Sequence, residues 1–178
     1  MNYIVAIATK VNILWLSQGV HMSTDFDLAT FLPYRLAYIS ERVSQRLSAD
    51  YGKSHGLSVA EWRVLVNLQY LGTASVRDIQ VYTNLEKSRV SRAVARMESA
   101  GLVAKRAGAK DARLVEIGLT KKGVATLDAI LPPAIKVEQG LLEGLSDAQR
   151  KTFNEVIEHF HRVLDNDPDA KPRYEATR

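Results

Sequence analysis

The stretch NLEKSRVSRAVARMESAGLVAKRAGAKDARLVEIGLTKKG, Asn84–Gly123, decides the fold. Its first half has helical spacing. Val90, Val94 and Met97 recur at steps of four and three, which puts them on one face of a helix running to Ala100 and stopping at Gly101. Ser88, Arg92 and Arg96, four apart, share another face, with Arg89 and Ser91 alongside. Asn84 is placed to cap the start of this helix. The second half changes period. "LVAKR" and "RLVEIGL" are β-rich runs on either side of "AGAKDA", the pattern of a hairpin. Thr120 then opens another helix, with Val124, Leu127, Ile130, Leu131 and Ile135 as its apolar side and Pro132-Pro133 predicting a bend.

Two short helices precede this stretch. Ser58 with Glu61 and Ser75 with Asp78 have the spacing of capping boxes, and Gly72 closes the first of the two. Three helices with tight connections are what a helix-turn-helix requires. Upstream, Leu28, Leu32, Leu36, Ile39, Val43 and Leu47 form one helical stripe, which "YGKSHG" is expected to break. Downstream, Ser146 with Gln149 opens a last helix striped by Phe153, Val156, Ile157, Phe160 and Leu164. The expected fold is mainly α with a small β-hairpin: a winged helix-turn-helix domain flanked by terminal helices. A unit this small has limited surface to cover both terminal stripes, so pairing of two chains through them is expected.

Charge follows the same division. Asn84–Gly123 holds ten lysines and arginines against four acids, while the whole chain holds 24 against 20 and nets +4. Concentrated positive charge points to a polyanion. An apolar-backed helix with an Arg/Ser front suits the DNA major groove, because arginine bonds guanine in bidentate fashion and serine bonds bases or phosphates. A two-stranded wing next to it would set Arg113 over the minor groove, with Asp111 positioning an arginine and Lys121 and Lys122 on phosphates. The candidate DNA-binding residues are therefore Ser88, Arg89, Ser91, Arg92, Arg96, Arg113, Lys121 and Lys122. The alternative from the same features is a winged-helix protein-interaction module whose basic face meets an acidic protein.

The remaining residues narrow the choice. With no cysteine, disulfides, thiolate metal sites and thiol redox switches are excluded. His159 and His161 are two apart on a helix and point to different sides, so no metal site is expected. No nucleophile motif or catalytic carboxylate pair is present, so neither enzyme activity nor a cofactor is expected. Tyr34, Tyr38, Tyr51 and Arg63 are candidates to line a ligand pocket, and Trp62 is read as core. Met1–His21 is interrupted by Lys10 and Asn12, lacks a clear signal-peptide pattern and is too polar for a confident span. It is read as an extension before a natural start at Met22. The expected organisation is an extension over 1–21, the winged domain with its pairing helices over 22–168, and a tail over 169–178. No membrane association is expected, and the location is expected to be cytoplasmic, on the nucleoid.

"DARLVEIGLTKKG" resembles the wing signature of MarR-family transcriptional regulators: Asp, any residue, Arg, five residues, Leu-Thr, two residues, Gly. Asp111, Arg113, Leu119, Thr120 and Gly123 fill it. "SRVSRAVARMESAGLV" resembles the family's recognition helix and "GLSVAEWRVLVNL" the helix before it, and the resemblance runs from about Leu28 to Leu164. It implies a homodimer on a double-stranded, pseudo-palindromic operator, most often a repressor, under the control of a small aromatic or anionic effector.

Overall fold

The computed structural model describes residues 26–108 and 115–171. Met1–His21 and the end of the tail therefore lie outside the described residues, as do Asp111 and Arg113. The chain divides into two compact units, one up to Arg42 and one from Val43 onward. Helix α1, Leu32–His55, contributes to both.

The second unit is the winged domain. After α1 come α2 (Val59–Leu71), β1 (Thr73–Ala74), α3 (Val76–Thr83), α4 (Lys87–Ser99), β2 (Val103–Ala107), β3 (Val115–Leu119), α5 (Lys121–Leu142) and α6 (Asp147–Asp165). All three predicted capping boxes form. At α2, for example, the Glu61 amide donates to Ser58 Oγ at 3.3 Å and the Ser58 amide donates to Glu61 Oε2 at 2.7 Å. Each box satisfies amides that the first turn leaves without helical partners. Gly72 ends α2 with φ of +74°, where a Cβ would be strained, and its amide donates to the Leu68 carbonyl at 2.9 Å.

One core joins these elements. Val64, Leu65 and Leu68 of α2, Ile79 of α3, Val90, Val94 and Met97 of α4, Ile117 of β3, and Leu127 and Ile130 of α5 are all buried. Each fully buried side chain of this size contributes about 1.5–3 kcal/mol. Packing α2, α3 and α4 together is therefore what sets the orientation of the Arg/Ser face.

Helix α1 ends within "YGKSHG", as expected, at the last residue of that stretch, Gly56; Tyr51–His55 are still helical, with Tyr51 buried and stacked on Trp62 at a ring-centroid distance of 5.2 Å. Two details differ from the sequence reading. Asn84 does not cap α4. It takes a left-handed conformation, φ 50°, at the end of α3, and Glu86 occupies the α4 cap without a side-chain bond. Asparagine tolerates that conformation, which the tight turn between the two helices uses. The sheet has a third strand: β3 lies between β1 and β2, antiparallel to both, with Thr73 opposite Gly118 and Lys105 opposite Ile117. Helix α5 runs through Pro132 and Pro133 as one element.

The terminal helices keep exposed apolar stripes. No residue of α6 is buried, and Phe153, Val156, Val163 and Leu164 are exposed. In the first unit, Leu32, Leu36 and Ile39 of α1 are likewise exposed.

Candidate nucleic-acid interface

Helix α4 has the two faces its spacing predicts. Val90, Ala93, Val94 and Met97 are buried, whereas Ser88, Arg89, Ser91 and Arg92 are exposed. Among the described residues neither Arg89 nor Arg92 makes an ion pair. No side chain caps the start of α4; the Arg89 amide donates to the Glu86 carbonyl at 2.8 Å, and the N–H groups ahead of it lie at the same end as these side chains. Donor-rich, positively charged and backed by a fixed core, this end can bond phosphate oxygens and base edges.

Arg96 is arranged differently. Its Nε donates to Glu61 Oε1 at 3.0 Å and its Nη2 to Ser58 Oγ at 3.2 Å. The Glu61 side chain is only 9% exposed. Burial alone would raise its pKa, but the side-chain and backbone bonds from Ser58, together with Arg96, outweigh burial and hold the carboxyl below its ordinary value. The pairing of Glu61 with Arg96 is what the sequence reading missed, having placed Glu61 only in the capping box. Glu61 lies 35 positions from Arg96, where no helical spacing rule can pair them.

The wing is also tied to the recognition helix. Lys105 of β2 donates to Glu98 of α4 at 2.6 Å, and Lys122 of α5 donates to the carbonyl of Ala100, the C-cap of α4, at 2.8 Å. A cation there complements the negative end of the helix. Lys122 thus gives one of its three donors to an intramolecular partner, and both Lys121 and Lys122 are exposed. Thr120 caps α5 by accepting from the Gly123 amide at 3.0 Å, and its hydroxyl lies 2.7 Å from the Gly101 carbonyl, to which it donates. Asp111 and Arg113 belong to the connection between the paired residues Ala107 and Val115 and lie outside the described residues.

The ligand-pocket candidates separate. In the first unit Tyr34 and Tyr38 are exposed and stack on each other at 6.1 Å, with the Arg42 guanidinium 5.8 Å from the Tyr38 ring. In the second unit the Tyr51 hydroxyl is buried with no hydrogen-bond partner among the described residues, and burial pushes its pKa up, partly opposed by Arg63. Among the described residues Arg63 makes long bonds, to the Thr83 carbonyl at 3.4 Å and Ser44 Oγ at 3.5 Å. Trp62 is half-buried; it packs on the core and also walls a cleft of about 340 Å³ shared with Val43, Leu47, Ala134, Ile135 and Leu141.

A winged helix-turn-helix with an Arg/Ser recognition face is the architecture of a DNA-binding regulator. Residues 55–114 match the family model described as MarR family. The chain is 28% identical over 142 residues to the HTH-type transcriptional repressor IacR of Pseudomonas putida, covering 79% of this chain and 84% of that one. It is 32% identical to the MarR family transcriptional regulator SPO1453 of Silicibacter pomeroyi DSS-3, with a TM-score of 0.67, across 79% of this chain and all of that one. The fold also matches a mutant MarR from E. coli, solved in complex with operator DNA, at 19% identity and a TM-score of 0.63, over 72% of this chain and 94% of that one. The chain belongs to the MarR family of transcriptional regulators.

Proposed function

We propose that this regulator is a homodimeric, cytoplasmic repressor that binds a pseudo-palindromic operator and responds to a small aromatic or anionic effector. The observation that carries the reading is the exposed Ser88, Arg89, Ser91 and Arg92 face at the uncapped start of α4, set by a buried opposite face. Arg92 reads a base, Arg89 and Lys121 bond phosphates, and Arg113 enters the minor groove next to them. The operator complex of the E. coli mutant supports this assignment of the winged domain. Two copies fit a two-fold site, and the exposed stripes of α1 and α6 supply apolar surface for pairing. For the effector, the buried Tyr51 hydroxyl, without a partner among the described residues, and the loosely held Arg63 are groups that an anionic or aromatic molecule can satisfy, and Trp62 adds an aromatic wall. No helix among the described residues is long and apolar enough to cross a membrane.

The test is a duplex selected from a random pool by the protein itself, measured by fluorescence anisotropy at several salt concentrations. Phosphate contacts from Arg89 and Lys121 in each subunit, four per dimer, predict a slope of log K against log salt of about −3.6 or steeper. A flat response would remove DNA as the partner.

A further inference from the structure

The placement of Arg96 carries a role that Arg89 and Arg92 of the same helix do not have. The base-reading end of a recognition helix is its N-terminal half. Arg96 lies one turn beyond Arg92, about 6 Å further along the axis at 1.5 Å per residue. Its guanidinium is turned back to the first turn of α2, where Ser58 and Glu61 form a closed capping box. Glu61 Oε2 accepts from the Ser58 amide and hydroxyl, at 2.7 and 2.6 Å, and Oε1 accepts from Arg96. Removing the arginine leaves one oxygen of a buried carboxylate without its donor there.

Apolar packing between α2 and α4 decides which face of α4 is exposed, but it is not directional, so it defines the fine placement of the helix less closely than a hydrogen bond does. A guanidinium bonded through two nitrogens to a capped helix start has a fixed geometry. We infer that Glu61 and Arg96 form an orientation lock, in which the carboxylate withholds Arg96 from DNA and Arg96 serves as a positioning residue for the bases read by the other end of α4. This rests on the DNA-binding reading above. Bidentate base contacts need accurate placement, whereas phosphate contacts tolerate small shifts. Loss of the lock should therefore damage discrimination between sequences more than affinity for DNA in general.

The experiment compares the full-length parent with Arg96→Gln, Arg96→Lys, Glu61→Gln and the Glu61→Gln/Arg96→Gln double variant. Each is measured on the selected duplex and on a random duplex of equal length, across a salt series, with thermal midpoints confirming that each is folded at the assay temperature. The lock predicts that Arg96→Gln loses about tenfold on the selected duplex, the scale of one impaired base contact, and keeps its affinity for random DNA and its salt slope. Arg96→Lys should lose discrimination as well, because lysine keeps the charge but not the planar fork. Glu61→Gln should lose it in the same direction, and the double variant should be no worse than the worse single change. The inference is overturned if Arg96→Gln weakens both duplexes equally with the salt slope shallower by about 0.9 per subunit, the mark of a lost phosphate contact. It is also overturned if Arg96→Lys or Glu61→Gln discriminates as well as the parent. A parent with no salt-dependent binding to either duplex would reject the DNA reading itself.

Discussion

Gly123 is where the winged domain has least room. A Cβ built on it would lie 2.1 Å from the carbonyl oxygen of Leu102 and 3.1 Å from the carbonyl carbon. Both are backbone atoms and cannot rotate away. The same oxygen accepts from the Thr120 amide at 3.0 Å and lies 3.2 Å from the Thr120 hydroxyl, so it belongs to the joint between the end of α4 and the start of α5. Gly123→Ala must push α5 outward by about an ångström and weaken one or two of those bonds. Overpacking against fixed atoms plus the lost bonds costs about 3–4 kcal/mol. At ~2–4 °C per kcal/mol for a chain of this size, the thermal midpoint should fall by ~6–15 °C. Gly140→Ala is the control in the same helix: nothing lies within 4 Å of its added Cβ. That change should raise stability by about 0.5–1 kcal/mol, through helix preference alone. Differential scanning calorimetry on the three proteins measures both. A Gly123→Ala midpoint within about 2 °C of the parent, less than 1 kcal/mol on that scale, would refute the close approach.

Two further expectations concern the interface and the pairing of chains. Arg113→Ala should weaken binding to the selected duplex while leaving the thermal midpoint in place, because the proposed role of this arginine is in the DNA groove, and Arg113→Lys should rescue only in part. Equal affinity for parent and variant would remove the wing arginine from the site. Phe153→Glu, in the exposed stripe of α6, should halve the mass that light scattering gives for the parent dimer; a parent already at the mass of one chain would end the homodimer reading.

The local parts of the fold were legible because their signals are local. A capping box needs two residues three apart, and all three predicted boxes form. The hairpin strands were visible as β-rich runs, and β2 and β3 pair in one register from Val103–Leu119 to Ala107–Val115. What escaped depended on tertiary neighbours. The break in "YGKSHG" was legible, but not its exact place: an interior glycine costs only about 1 kcal/mol relative to alanine, so Gly52 stays helical beside the buried Tyr51 and α1 ends at Gly56. Strand β1 has two residues, too few for any alternation to show, and exists because Thr73 and Ala74 find the open edge of β3.

The site was legible as a composition and less so as an arrangement. Ten cations between Asn84 and Gly123 suggested a polyanion, but a cation count does not say which charges the fold keeps for itself. Arg96, Lys105 and Lys122 have partners in Glu61, Glu98 and the Ala100 carbonyl. Arg96 and Lys105 bridge α4 to α2 and β2, and Lys122 joins α5 to the helix end. The second half of α4 is thereby fastened on three sides, while Arg89 and Arg92 on the first half make no ion pair among the described residues. A helix that must present side chains to base edges needs both conditions, one end fixed and the other free. Fixing the free end with an acid would cancel the charge that attracts DNA. Freeing the fixed end would let the reading side chains drift by the fraction of an ångström that separates a bidentate contact from a lost one.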